Sequence, residues 1–458
     1  MDLLVSHVLE NCKQYNSKLA IVDGSEEISY ADLKEKIFTQ AAHFTEKKIA
    51  NKRVLLRADN SSTFIINYLA CHLIGSTCVP FDPDIKSSQL KEIKKESNTD
   101  FLIENLNEDK KSWDSLKKLN ASKEADILFT SGTTGKRKGV LLTQANIFTA
   151  ARQINEYIGN SSNDVELLVM PFSHSFGLTR MRCALLAGST SVLLNGLSKP
   201  KEFFRLLSER KVTGLGIVPS GWALLRKISR DKISEFKSQI KYLELGSSPM
   251  TREQKKDVMD LLPNTNIVMH YGSTEASRAC FLNFTNDKNY LDSVGKPIGK
   301  NKILIIDENE KVLENNQVGK IYVKGGMVSS GYLNIKSNKF LQSYHEMGDL
   351  GYVNSEGYLY LQGRISDLIN VGGKKVSPLE IEHALKKFPG ISDCACTGVP
   401  HEISGETIKA FIVGDTFDEK DLKKYLMQKL ETYKIPTIFE RLDSLPYTDS
   451  GKLIKNKI

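Results

Sequence analysis

The sequence predicts an α/β protein with a large front portion of layered, mostly parallel sheets, a β-rich section behind it, and a small α+β domain at the C-terminal end. Three observations predict it. Short apolar runs, KRVLLRAD, SVLLNG, GLGIVPS, KYLELGSS and NIVMHYGS, recur with amphipathic stretches between them, the alternation expected of strands and covering helices. From Lys302 the texture changes to consecutive strands with polar turns, in KILIIDENEKVLENNQVGKIYVKGG and LGYVNSEGYLYLQGR. After Gly363 it changes again. SPLEIEHALKKF, from Ser377, reads as a capped amphipathic helix, DCACTGV and IKAFIVGD as strands, and DEKDLKKYLMQKL as a second helix. A length of 458 residues exceeds one compact core, so the expected domains are residues 1–363 and 364–458.

Composition narrows the class. Hydrophobic content of 40% and charged content of 26% are those of a soluble globular chain. The net charge of +8 is modest, and its lysines are scattered, which suits small anions and argues against a nucleic-acid partner. Most of it belongs to the front portion, because residues 364–458 hold 15 Lys+Arg against 14 Asp+Glu. Seven widely spaced cysteines make no disulfide framework, and Cys394 and Cys396 read as buried thiols on a strand rather than a zinc site. The start, MDLLVSHVLENCK, has no basic leader, and no apolar run reaches the roughly 18 residues of a membrane span. A cytoplasmic protein is expected.

The most unusual stretch is TSGTTGKRKG, Thr130 to Gly139. It follows the apolar run ADILF, and a helix is predicted to begin near Thr143, whose hydroxyl can cap it. The loop therefore hangs off a strand end. Glycines let backbone N–H groups converge into an anion-binding nest, hydroxyls add donors and Lys136, Arg137 and Lys138 add charge. A solvated turn is the plainer reading and a polyphosphate site the sharper one. The spacing is not that of a P-loop: only two residues separate Gly132 from Gly135-Lys136, and Arg137 stands where the hydroxyl belongs.

Four further stretches decide between them: HYGSTEAS (His270 to Ser277), MGDLGYV (Met347 to Val353), QGRISDLINVGGKKVSPLEIE (Gln362 to Glu382) and the closing LPYTDSGKLIKNKI. With the loop, in this order, they resemble the adenylate-forming superfamily of acyl-CoA synthetases, nonribosomal peptide adenylation domains and luciferases, nearest its acyl- or aryl-CoA ligase branch. The likeness runs from ISYADL at Ile28 and IGSTCVPFDP at Ile74 to the C-terminus.

The resemblance implies roles. Thr130, Ser131, Gly132, Thr133, Thr134 and Gly135, with Lys138, would hold the ATP phosphates, Thr134 acting in catalysis. Glu275 would hold Mg²⁺, a hard cation suited to an oxygen ligand; on spacing alone it is a turn carboxylate. Tyr271 would stack on adenine, with Gly246, Ser247, Ser248, Gly272, Ser273 and Thr274 lining the nucleotide. Asp349, which reads by itself as a turn former after Gly348, would accept both ribose hydroxyls, and Arg364 would reach ribose or phosphate. Lys452, by default a solvated lysine, would be the catalytic cation on a mobile C-terminal domain. Ser366 would be the pivot, with Asp367 its nearest substitute, and Gly372 and Gly373 would border a thiol tunnel. Departures from the pattern are Met347 in place of the usual Thr, Ser366 in place of Asp or Lys, and Lys455 in place of Arg.

MPFSHSFGL (Met170 to Leu178) is similar to the stretch closing the acyl pocket, with His174 as its gate, counted here among the catalytic residues. Ser175, Phe176, Trp222, Ala276 and Ser277 would be pocket neighbours. Amino-acid-activating relatives place an Asp where Ser175 stands; a hydroxyl cannot pair a desolvated ammonium, so a small carboxylic acid without an α-amine is expected. Arg180 and Arg182, two residues apart on a helix, point to different faces, and surface ion pairing is the expected role for both. The implied function is ATP- and Mg²⁺-dependent activation of the acid to an acyl-adenylate, then transfer to a thiol. A fused carrier domain is not expected after Lys452, so the thiol would come in trans, from coenzyme A or from phosphopantetheine on an acyl or peptidyl carrier protein. The alternatives are a ligase loading only a carrier protein and a non-catalytic adenylate sensor.

Overall fold

The computed structural model describes residues 3–99, 101–106, 124–131, 137–335, 340–341, 343–415, 417–447, 453–454 and 458. The chain divides into two compact units, residues 1–302 with 323–345, and residues 303–322 with 346–458. By compactness, residues 303–322 and 346–363 of the β-rich section go with the C-terminal portion rather than with the front.

Two sheets organise the first unit. In the larger, six neighbouring strands run parallel in the order Asn266–Tyr271, Tyr242–Leu245, Gly214–Ile217, Val165–Leu168, Thr190–Leu193 and Leu19–Asp23, with antiparallel strands completing nine at the edges. The second has six strands, and four of them, Glu124–Ser131, Thr77–Phe81, Arg53–Arg57 and Phe101–Ile103, are parallel. Strands such as Thr77–Phe81 and Tyr242–Leu245 are buried along their whole length, as expected when both faces of a parallel sheet are covered.

Helix Ser175–Ala187 lies between the sheets, and both of its arginines correct the sequence reading. Neither is at the surface: Arg180 is 1% and Arg182 2% exposed. At about 100° per residue the two side chains leave opposite faces. Arg180 reaches Glu166 (Nη2–Oε2 2.5 Å) and Glu244 (Nη1–Oε2 3.1 Å) on the nine-stranded sheet. Arg182 reaches Asp126 on the other sheet and the Tyr68 hydroxyl at 2.9 Å. His72 and Cys78 also lie near Asp126, close enough together to hold an ion, but the Arg182 guanidinium already supplies the cation there.

Thr143 caps helix Gln144–Ile158 with a reciprocal bond from Asn146, as the sequence predicts. Ser377 does not cap helix Pro378–Leu385; its hydroxyl donates instead to the Gln362 carbonyl. In the second unit the strands Ile391–His401 and Gly405–Gly414 pair antiparallel along their length and, with helices Pro378–Leu385 and Glu419–Met427, enclose an apolar core including Ile381, Leu385, Ile408, Leu422 and Leu426. All seven cysteines are free and buried. Among the described residues no helix is long and apolar enough to cross a membrane.

Candidate active site

The glycine-rich loop joins two antiparallel strands. Glu124–Ser131 pairs with Arg137–Thr143, Thr130 opposite Lys138 and Ser131 opposite Arg137. Gly132, Thr133, Thr134 and Gly135, expected to hold phosphates, lie outside the described residues, as does Lys452.

The strand Asn266–Tyr271 delivers the second element. Beyond buried Tyr271, the turn closes as the Ser273 N–H donates to the Ala276 carbonyl at 3.1 Å and the Ala276 N–H to Ser273 Oγ at 3.2 Å. Gly272 is required there, since a Cβ would come within 2.6 Å of the Arg278 nitrogen. The turn presents Glu275, whose carbonyl accepts from the Ser329 N–H at 2.7 Å and whose Oε1 accepts from the Tyr332 hydroxyl at 2.7 Å. Burial alone would raise the Glu275 pKa, but the Tyr332 hydrogen bond, with the His345 charge and the Ser273 hydroxyl, holds it below the ordinary carboxylate value. An ionised, fixed oxygen donor of this kind fits a hard divalent cation.

Gly246, Ser247 and Ser248 follow the neighbouring parallel strand Tyr242–Leu245, so they sit beside His270 and Tyr271 at the sheet's carboxyl edge, where α/β proteins bind ligands. The contact is close: a Cβ on Gly246 would lie 2.1 Å from His270 Cε1. Ser247 takes φ 73°.

His174 is the N-cap residue of helix Ser175–Ala187 and is exposed, whereas Phe176 is buried. Arg278 ties this helix start to the Glu275 turn, donating to the Phe176 carbonyl at 3.3 Å and lying 4.9 Å over the Phe176 ring. Ala276 is buried and Ser277 partly so. Trp222 packs in the core of the same unit, its indole N–H donating to Asp257 at 3.4 Å.

The sequence reading missed what holds these pieces. Glu244 is fully buried and gathers Arg278 Nε at 2.9 Å, His270 Nδ1 at 2.7 Å and Arg180 Nη1 at 3.1 Å. Burial would raise its pKa, but Arg278, His270 and Arg180 hold it far below the carboxylate range. Burial first, and then Arg278, lowers the His270 pKa. A neutral His270 leaves Glu166 and Glu244 balanced by Arg180 and Arg278. The available signal was a single acid in each of two apolar strands, VELL and YLEL.

On the second unit, Asp349 lies not in a turn but within the strand Tyr344–Val353, 7% exposed, although Gly348 before it takes φ 76°. It pairs with Arg364 across the sheet, Nε to Oδ1 3.2 Å. Ser366 and Asp367 occupy a 3-10 turn, Ile365–Asp367, and share a hydrogen bond of 2.9 Å. Gly372 (φ 59°) and Gly373 (φ 83°) make the two-residue hairpin between Ile369–Val371 and Lys374–Val376, the left-handed pair that favours glycine.

Glycine turns at the carboxyl edge of a parallel sheet, with a fixed carboxylate beside them, define an α/β ligand-binding enzyme. The AMP-binding enzyme family model matches residues 8–333, and the AMP-binding enzyme C-terminal domain matches residues 380–452. A 2-succinylbenzoate–CoA ligase of Bacillus licheniformis is 32% identical over 343 residues, 73% of this chain and 69% of that protein. A putative long chain fatty acid–CoA ligase, VraA, of Staphylococcus epidermidis is 26% identical over 100% of this chain and 98% of its own length. Among solved structures, ATP-bound MatB from Rhodopseudomonas palustris superposes with a TM-score of 0.89 at 24% identity, covering 99% of this chain and 97% of that one. The chain belongs to the AMP-binding enzyme family, on its acyl- and aryl-CoA ligase branch.

Proposed function

We propose that the protein joins a carboxylic acid lacking an α-amine to a thiol in two steps, first forming an acyl-adenylate and pyrophosphate from ATP, then a thioester and AMP. The observation that carries this reading is Glu275, half-buried at the carboxyl edge of the parallel sheet with its Oε1 held by the Tyr332 hydroxyl at 2.7 Å. Mg²⁺ bound there would neutralise phosphate charge. Thr130, Lys138 and the loop between them bind the phosphates; Asp349 takes the ribose hydroxyls, with Arg364 beside it. Lys452 places its ammonium against the reacting carboxylate and α-phosphate, stabilising charge that grows in the transition state.

Coenzyme A is the acceptor we propose, because the named relatives are CoA ligases. Residues 364–458 act as the moving body, pivoting at Ser366 or Asp367, so that Lys452 serves the first step and withdraws for the second. A variant locked at Ser366 that lost both half-reactions equally would move the pivot elsewhere. The free cysteines suit a reducing compartment such as the cytoplasm.

The deciding experiment is ATP–pyrophosphate exchange across a panel of aromatic, dicarboxylic and fatty acids, with Lys452→Ala as its control. At least one acid supports exchange, and the variant loses roughly a hundred- to a thousandfold. Silence across the panel with ATP binding intact would instead favour a sensor, and full exchange in the variant would remove Lys452 from the chemistry.

A further inference from the structure

Tyr332 stands between the two phosphate-side elements of the site. Its strand, Gly331–Tyr332, pairs antiparallel with Arg137–Thr143, Tyr332 opposite Val140. Lys138, two residues earlier on that partner strand, places its Nζ 5.8 Å from the centroid of the Tyr332 ring. At the far end of the same ring the hydroxyl donates to Glu275 Oε1 at 2.7 Å. The arrangement is tied down on both sides. The Ser330 N–H donates to the Leu141 carbonyl at 3.0 Å and the Leu333 N–H to the Gly139 carbonyl at 2.8 Å. A Cβ on Gly139 would lie 2.9 Å from Ile127 Cγ2 and 3.2 Å from Leu333 Cβ, so hairpin and tyrosine strand meet with no slack. On the other side, Val328 bridges Ala276, next to Glu275. Burial and the Glu275 charge push the Tyr332 hydroxyl well above its ordinary pKa, so it remains a donor.

We propose that Tyr332 is a positioning residue that holds the Glu275 carboxylate and the Lys138 ammonium at a fixed separation, so that one Mg·ATP meets both at once. The assignment rests on the Mg·ATP reading above. The ring keeps an ammonium near its face, while the hydroxyl bonds Oε1 and narrows the rotamers open to the carboxylate; a ligand aligned in advance binds its metal more tightly.

The test uses Mn²⁺ as the probe, its binding to the full chain followed by electron paramagnetic resonance with and without ATP. Wild-type protein binds Mn²⁺ more tightly when ATP is present; if it does not, the Mg·ATP reading itself fails, and this assignment with it. Tyr332→Phe keeps the ring and removes the hydroxyl, and weakens ATP-dependent Mn²⁺ binding about tenfold, the scale of a hydrogen bond to a charged group. In a Glu275→Gln background the same change has less than about a twofold effect, because the group it positions is gone. Unchanged Mn²⁺ affinity in Tyr332→Phe, or equal losses in both backgrounds, would reduce Tyr332 to packing.

Discussion

The two units build their interiors from different materials. The first buries Asp126, Asp164, Glu166, Arg180, Arg182, Glu244, Lys255 and Arg278. Among the described residues of the second, Asp349 is the one buried charged side chain, and the core beneath its sheet is aliphatic apart from Cys394 and Cys396. Apolar burial has no direction and tolerates repacking. A charge-assisted pair fixes distance and angle, but it must offset the loss of hydration. The first unit spends ions where the Glu275 turn and the start of helix Ser175–Ala187 have to keep their geometry, and the second holds its small sheet by packing.

The largest effect should come from breaking the ionic interior on one side only. Arg180→Met leaves Glu166 and Glu244 short of a cation, and unfolding of the first unit should cost about 3–5 kcal/mol less than in wild type. Denaturant titration followed by tryptophan fluorescence reads this directly, since Trp222 packs in the core of the first unit. A loss below about 1 kcal/mol would mean that the network contributes little beyond packing. The matching change in the second unit is Leu385→Ala, which deletes a fully buried side chain and should cost about 3 kcal/mol through transfer and cavity terms. Hydrogen exchange resolved by region should confine that loss to residues 303–322 and 346–458; loss spread evenly over both units would erase the contrast.

The smallest effect is a pH dependence peculiar to the first unit. The His270 pKa is depressed in the folded state, so below about 6.5 the unfolded chain binds the extra proton first. Stability therefore rises with pH through this range and is lost as the pH falls below about 6.5. The carboxylate of Glu244, held low by Arg278, His270 and Arg180, contributes its own loss only at more acidic pH. Urea unfolding of His270→Gln should show a flatter profile over the window; an identical slope would place the titration on another group.

Much of this architecture can be read in the sequence, and the division is physical. Strand runs, the cap at Thr143 and the order of the motifs are local, and each survives in the structure. What escaped depends on partners distant in the chain. Two arginines on an apolar helix look like surface residues until carboxylates 14, 56 and 64 positions away are brought to them. Asp349 after a glycine looks like a turn because nothing nearby in sequence announces the strand partner that carries Arg364. Tyr332 is 57 residues from the carboxylate it bonds. Ser377 fits every local rule for a cap and yet serves the Gln362 carbonyl.

The helix Ser175–Ala187 is keyed at two teeth. Its guanidiniums at positions 180 and 182 engage different sheets, so sliding or turning the helix by one residue would pull both from their sockets together. Side chains on a greasy helix can exchange places after such a slip; these cannot, because each socket is lined by acids that would be left bare. Phe176 sits one turn upstream of Arg180 on the same rod and His174 caps its start, so their height above the sheet is set like a cut on a key, by teeth further along the shaft.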